Sequence, residues 1–271
     1  ELDELEAQFL VERKLISPNL ISSTGSRGVY FNEQQTMSIC INDADHLTLC
    51  GHASGQQLQE VWSTVSRADD TLTGVLDMAF SDDRGYLTAH LSDVGTGLFA
   101  TSILHLPALT MLNSIHSIET DQRLQPLNPQ QNMTHGECYR LSSPSSLGLS
   151  ELEIVYHLSQ AIDAIVAQER EARALLEATH PQQLKDRIQR ALGLSRSARL
   201  LAFDEGVGVL SSLRLGIAIG LLKDFSLKTI NDTFMDAHDA HLRLNCGVPC
   251  DDIQCSALRA ELFSKQFAHT L

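Results

Sequence analysis

Asp43, Asp45 and His46 lie almost side by side. Two carboxylates and an imidazole at that spacing are the raw material of acid–base chemistry or of a metal site. The same trio also fits the polar tip of a hairpin. Gly95-Thr96-Gly97 follows a strand-like run, and such a turn can aim backbone N–H groups at a phosphate, although most Gly-x-Gly turns are only tight turns. His238, His241, Cys246, Cys250 and Cys255 fall within 18 residues. Thiolate and imidazole together suit zinc. The gaps between the cysteines are longer than the usual two-residue knuckle, which favours free thiols packed in helices.

The elements that must position these residues follow from periodicity. Residues 38–42 and 46–50 alternate polar and apolar, the pattern of half-buried strands, and residues 43–45 read as the turn between them. Leu58, Val61, Trp62, Val65, Ala68, Leu72 and Leu76 share one face of a helix over 57–76. Residues 85–90 read as a strand running into the glycine turn. Short helical character is expected over 4–15, a loop over 17–36, and a Gln- and Pro-rich loop over 119–135. Ser150-x-x-Glu153 is a capping box that opens a long helix to about Ala178. Helices are then expected over 182–192, 204–222, 227–244 and 251–268. Leu213, Leu215, Ile217, Ile219, Leu221 and Leu222 make the 207–222 stretch apolar enough to be buried or to associate with a partner or a second copy. The fold class is α+β: an antiparallel sheet flanked by helices over residues 1–165, followed by an all-helical domain over 166–271.

The 271 residues carry 20 Lys and Arg against 34 Asp and Glu, a net charge of -14. So acidic a chain is a poor ligand for nucleic acid or an anionic membrane. The imbalance sits in residues 1–150, with 7 basic and 18 acidic side chains. No stretch reaches the roughly 18 apolar residues of a membrane span. The opening Glu-Leu-Asp-Glu-Leu-Glu is unlike an export signal, and six loosely spaced cysteines read as free thiols, so a cytoplasmic location is expected.

Several segments, in order, resemble the bacterial protein-arginine kinases of the ATP:guanido phosphotransferase, or phosphagen kinase, family. Leu10-Val-Glu-Arg-Lys-Leu-Ile-Ser-Pro18 is similar to the family's V-E-K-H-L-I-S-P, and Ser38-Ile-Cys-Ile-Asn-Asp-Ala-Asp-His46 to its S-I-x-I-N-E-E-D-H. The run from Gly85 to Ser102 is similar to its G-Y-L-T-x-C-P-T-N-x-G-T-G-L-R-A-S, followed by His105-Leu-Pro-Ala-Leu109. Ala167-Gln-Glu-Arg-Glu-Ala-Arg173 and Ser211-Ser-Leu-Arg-Leu-Gly216 match A-Q-E-R-x-A-R and S-D-V-R-L-G.

The resemblance implies transfer of the γ-phosphoryl of Mg-ATP to a guanidinium. Such chemistry needs arginines on the phosphates and carboxylates on the guanidinium. It makes Gly95, Thr96 and Gly97 the ATP-phosphate turn, and puts Asp43, Asp45 and His90 at active-site positions. The ligands themselves are changed. Ala44 replaces the glutamate that holds the guanidinium, and Asp43 shortens its neighbour. Thr48 and Phe99 replace two phosphate arginines. His90 replaces the active-site cysteine, with Leu91 and Asp93 at the adjoining Pro and Asn. The segment that carries a further arginine and the second catalytic glutamate corresponds to a shorter region between Leu109 and Gly148, where Glu137 is the nearby carboxylate. A further pair of arginines in the family lies upstream of the region matching Glu1. The family's phosphoarginine-reading R-D-x-x-R-A keeps its last arginine as Arg259, with Cys255 and Ser256 at its first two positions. A lone arginine reads phosphate weakly, and an exposed helix arginine is the plainer expectation.

Removing one arginine that stabilises phosphoryl transfer can cost ~10³-fold or more. The leading expectation is therefore a pseudokinase, a scaffold or regulator. The family setting implies a zinc-binding activator, a transcriptional repressor or Clp-type protease components as its partners. The alternative is an active protein-arginine kinase with relocated ligands, using Asp43, Asp45, His90 and Arg84 or Arg140. A third reading is a phosphoarginine sensor built on Arg259.

Overall fold

The computed structural model describes residues 2–22, 24–118, 123–127, 135–144, 146–247 and 250–268. In chain order its elements are α1 (Glu4–Glu12), α2 (Pro18–Ser22), β1 (Gly28–Phe31), β2 (Met37–Ile41), β3 (Leu47–Gly51), α3 (Leu58–Thr73), β4 (Phe80–Ser81), β5 (Gly85–Tyr86), β6 (Thr101–His105), α4 (Pro107–Met111), β7 (Arg123–Pro126), β8 (Cys138–Ser142), α5 (Glu151–Thr179), α6 (Pro181–Ser197), α7 (Phe203–Ala218), α8 (Leu227–Asp236), α9 (Asp239–Cys246) and α10 (Asp252–Gln266). This is the α+β class, with small antiparallel sheets and flanking helices. No described helix is long and apolar enough to cross a membrane.

The chain divides into two compact units. The first comprises Glu1–Ser102, Asp121–Arg123 and Leu141–Ile162; the second comprises Ile103–Thr120, Leu124–Arg140 and Asp163–Leu271. The division within α5 falls between Ile162 and Asp163, and the second unit also takes in residues that the sequence assigned to the first domain.

In the first unit, β1, β2 and β3 form an antiparallel sheet in that order. Alternation turns Ser38 and Cys40 inward, where Ser38 Oγ donates to Leu15 O at 2.6 Å and Cys40 joins Leu10, Leu15, Ile16 and Leu20 in a core. Asp3 caps α1 by accepting from Glu6 N at 2.7 Å, satisfying an otherwise free helix N–H. Gly51 lets α3 lie close over β3, since a Cβ there would stand 2.7 Å from Val65. The segment 17–36, expected as loop, holds the short α2 and β1 instead. The strand expected over 85–90 shrinks to β5, because Thr88 Oγ1 donates to His90 O and Ala89 N–H goes to a side chain rather than to a neighbouring strand.

A further sheet has the order β6, β8, β7, and in the second unit Leu106 N–H donates to Glu137 O at 2.9 Å where the chain leaves β6. Val207, Val209, Leu210, Leu213 and Leu215 are all buried, so α7 is covered within the unit itself. Gly216 allows that, because a Cβ there would meet Ile188 at 2.7 Å and Leu222 at 2.9 Å. The single helix expected over 227–244 is broken into α8 and α9 at Ala237-His238. Ala237 still ends α8 in helical conformation, its O accepting from Arg259 Nε at 2.7 Å, and the break falls at His238, whose backbone is extended (φ -69, ψ 150) and whose Nδ1 lies 2.8 Å from Phe234 O. The loop expected over 119–135 is β7 over 123–126; residues 119–122 and 128–134 lie outside the described residues.

Candidate functional site

The hairpin of β2 and β3 sets Cys40 opposite Thr48 and Ile41 opposite Leu47. Its tip therefore carries Asp43, Ala44, Asp45 and His46. Asn42 adopts φ 57 there, and its N–H donates to His46 O at 2.9 Å. Asp43 Oδ1 accepts from Ser17 Oγ at 2.9 Å, and Asp45 Oδ1 accepts from Ala89 N–H at 2.7 Å. Each carboxylate thus holds a neighbouring segment. Ala44 is exposed between them. Asp45 brings the tip against the segment bearing His90, whose ring is exposed and whose carbonyl accepts from Asp93 N–H at 3.0 Å.

The glycine turn is built on a close backbone crossing. Tyr86 N–H donates to Gly95 O at 2.8 Å and Gly95 N–H returns to Tyr86 O at 3.2 Å. Gly85 has φ 76 and Gly95 φ 121, and a Cβ on Gly85 would stand 2.3 Å from Gly95 O, so glycine is required by both conformation and space. Gly97 N–H donates to Asp93 O at 3.0 Å and Leu98 N–H to Thr96 Oγ1 at 3.1 Å. The N–H groups of Gly95, Gly97 and Leu98 are therefore engaged within the chain. The turn forms one wall of a cavity of about 380 Å³, whose charged lining is Arg84 against Asp83 and Glu151. Beyond it, burial raises the Asp69 pKa, and the charges of Asp70 and Glu151 push it further up. Burial and then the charges of Asp69, Glu151 and Asp70 likewise raise the Tyr86 phenol. The electrostatic surroundings are those of an anionic site. Thr48 is half-buried on β3, and Phe99 is 55% exposed.

The second unit holds the remaining residues singled out from sequence. Arg259 is 2% exposed, which corrects the expectation of a surface arginine. Its Nε donates to Ala237 O at 2.7 Å, one terminal nitrogen to Leu201 O at 2.8 Å and the other to Asp239. The guanidinium carbon lies 5.6 Å from the Phe203 ring centre. All three nitrogens are engaged, so no face of the fork is offered to a phosphoarginine. Among the described residues, no group of three or more His, Cys, Asp or Glu is arranged to hold a metal. Cys255 is buried beside Arg243 Nε at 3.4 Å, and His238 packs among Phe203 and Phe234. Glu137 belongs to this unit. It binds Arg187 at 2.7 Å and accepts from Ser211 Oγ. Arg140 is exposed on β8.

Sequence reasoning missed one convergence in this unit. His105 Nε2 lies 2.8 Å from Ser211 Oγ, and Arg187 Nε donates to Ser212 Oγ at 3.0 Å. Arg173 Nε donates to Glu169 Oε1 at 2.7 Å, while the Glu169 oxygens also accept from Ala108 and Leu109 N–H. Burial lowers the His105 pKa well below its ordinary value, and the charges of Arg214, Arg173 and Arg187 lower it further. The signal lay in the segments containing His105, Arg173, Ser211 and Arg214, each matched as a separate run with nothing in the spacing to join them.

Residues 1–172 match the ATP:guanido phosphotransferase C-terminal catalytic domain, and residues 181–270 match the protein-arginine kinase McsB C-terminal domain. The chain is 34% identical over 273 residues to a protein-arginine kinase of Moorella thermoacetica, covering 99% of this chain and 78% of that protein. A protein-arginine kinase of Halothermothrix orenii is 34% identical over 267 residues, covering 97% and 76%. Among solved structures, lombricine kinase aligns with a TM-score of 0.56 at 19% identity, covering 64% of this chain and 53% of that one. The duplicated taurocyamine kinase of Schistosoma mansoni, with transition-state analogue components bound, aligns at 0.57 and 20% identity, covering 63% and 26%. At those identities the structural likeness concerns the fold alone.

Proposed function

The chain belongs to the ATP:guanido phosphotransferase family and carries the C-terminal domain of the protein-arginine kinases, and we propose that it is a member without phosphoryl transfer that works as a scaffold or regulator in protein quality control. The family is ATP-dependent, so the first question is whether these residues suit Mg-ATP. They do not. ATP brings about four negative charges, and phosphoryl transfer relies on cations placed around them. Here the cavity beside the turn sets Arg84 against two carboxylates, with Asp69 and Asp70 close by. The N–H groups of Gly95, Gly97 and Leu98 are engaged, Thr48 and Phe99 supply no charge, and Ala44 supplies no carboxylate for a guanidinium. The observation that carries the reading is this reversed charge at the turn, where the chemistry demands a cationic cradle.

Arg84 is the feature that favours the alternative, an active protein-arginine kinase with relocated ligands, because its side chain lines the cavity with Thr96. Calorimetric titration of Mg-ATP into the native gene product decides between them. The scaffold reading expects no heat of binding at submillimolar nucleotide. Submillimolar affinity that is lost in Arg84→Gln would overturn it and call for an assay of phosphoarginine on substrate proteins. The third reading, a sensor built on Arg259, finds no support in a guanidinium that is already saturated.

A further inference from the structure

We propose that the half-buried arginines of the second unit form a binding site for a phosphate-type oxyanion, held between Arg214 of α7 and Arg173 of α5 beside His105. Four residues converge there. His105, Arg173, Arg187 and Arg214 are each half-buried, neither sealed in the core nor free on the surface. Arg187 is balanced by Glu137 at 2.7 Å, and Arg173 shares Glu169 with the N–H groups of Ala108 and Leu109.

Arg214 differs. It donates to the neutral Asn231 Oδ1 at 2.7 Å, and no carboxylate of the described residues lies within ion-pairing distance of it. Burial lowers its pKa, Cys138 opposes that shift, and the charge of Arg173 adds to it. The other titratable groups facing it do not neutralise it. His105 is held uncharged by burial and the three arginines. The Cys138 thiol is pushed up to about 11 by burial, so it stays protonated at neutral pH.

A desolvated charge without a counter-charge is costly. Among the described residues no carboxylate is placed beside Arg214, in a chain with 34 acidic residues against 20 basic ones. An anion from solution resolves that imbalance. A carboxylate would fill one guanidinium fork. Phosphate offers tetrahedral oxygens that can accept from two forks arriving from different helices. The site is separate from the glycine turn and its cavity, which belong to the first unit, and from Arg259. Its existence does not depend on whether the chain transfers phosphoryl groups.

The test is thermal unfolding of the full chain in inorganic phosphate against acetate at matched ionic strength, with O-phosphoserine as a second probe. Ligand at ten times its Kd should raise Tm by about 3–5 °C. The rise should vanish in Arg214→Gln, shrink in Arg214→Lys, and persist in Arg140→Gln, a change at an exposed position on β8. Because Arg214→Gln removes an uncompensated charge, its Tm in acetate should match or exceed that of the wild type, the opposite of what a purely structural arginine would give. A rise with phosphate alone assigns the free ion; a rise with both probes assigns phosphoryl groups generally. Equal Tm in phosphate and acetate, or a rise that survives Arg214→Gln, would overturn the proposal. Should Arg214→Gln fail to fold, the Lys variant and Arg173→Gln carry the same comparison.

Discussion

Replacing Arg259 by methionine tests whether the family's phosphoarginine-reading position has become a structural clamp. Methionine keeps most of the aliphatic stem against Gly206 and Phe263, where space is tight: a Cβ on Gly206 would stand 3.2 Å from Phe263 and 3.4 Å from Arg259 Cδ. The change therefore isolates the guanidinium. Its loss strands the carbonyls of Ala237 and Leu201, residues that are 3% and 0% exposed. A buried acceptor left without its donor costs about 1–3 kcal/mol. The contact with Phe203 adds about 0.5–2 kcal/mol. Relief from burying a charge offsets part of this, leaving an expected loss of about 3–5 kcal/mol. The Asp239 ion pair adds little, because the Asp239 side chain is 51% exposed and solvent screens such pairs to about 1 kcal/mol or less. Asp239→Asn should thus cost less than Arg259→Met, because the side-chain amide can still accept from the guanidinium at a solvent-exposed position, although the buried charge loses its carboxylate. Thermal unfolding should show a fall of about 6–20 °C for Arg259→Met, and hydrogen exchange should locate it in α7 to α10. If the two variants cost the same, or if Arg259→Met costs under about 1 kcal/mol, the clamp is wrong and the guanidinium is available to a ligand.

His105 makes the second unit sensitive to acid. Its folded pKa lies well below the unfolded value, so the unfolded chain takes up the proton first, and stability present at neutral pH is lost as the pH falls below about 6.5. Stability across that range should fall by up to about 1.4 kcal/mol per pH unit for this group, and His105→Asn should flatten the profile; an unchanged profile would show that burial and the charges of Arg214, Arg173 and Arg187 do not hold the ring neutral. Gly85→Ala forces a Cβ to within 2.3 Å of Gly95 O at φ 76 and should cost about 2–5 kcal/mol. Gly148→Ala, at φ 83 in open space, should cost about 1–2 kcal/mol from conformation alone. Fluorescence of the single tryptophan, Trp62 on α3, reports unfolding of the first unit for both, and equal losses would deny the backbone crossing its role.

The legible parts of this fold are those whose physics is local. The β2–β3 hairpin follows from alternation at Ser38 and Cys40, and the start of α5 from Ser150 and Glu153, which form the reciprocal capping bonds. The elements that were missed depend on partners distant in sequence. Strand character at 85–90 was overridden by the demand of Asp45 for Ala89 N–H, across 44 residues. The break before α9 falls at the extended His238, and the Ala237 carbonyl beside it finds its donor in Arg259, 22 residues away. Arg259 itself read as a surface residue because an arginine in an amphipathic helix usually is one; only tertiary structure assembles two carbonyls, a carboxylate and an aromatic ring around it. The candidate site divides the same way. Ala44, Thr48 and Phe99 are legible by position in a matched segment. The engagement of the turn's N–H groups and the gathering of Asp69, Asp70 and Glu151 near Tyr86 are three-dimensional facts.

Those three carboxylates bear on the proposal that this chain does not transfer phosphoryl groups. An arginine placed at Thr48 or Phe99 would act in a stretch of chain where 18 acidic residues face 7 basic ones. Near the glycine turn, burial first and then the charges of neighbouring carboxylates hold the Asp69 carboxyl and the Tyr86 phenol raised. Net attraction for a polyanion therefore requires several cations together, and productive transfer requires a carboxylate at Ala44 besides, since aligning the guanidinium is a separate demand from binding the phosphates. Single substitutions in either direction are then nearly silent for catalysis. Asp43 and Asp45 have a structural use through Ser17 and Ala89 N–H. A hairpin whose carboxylates hold the fold together has a reason to persist without catalysis, which is why a recognisable acidic tip beside an anionic turn is compatible with a family member that binds partners rather than turning over nucleotide.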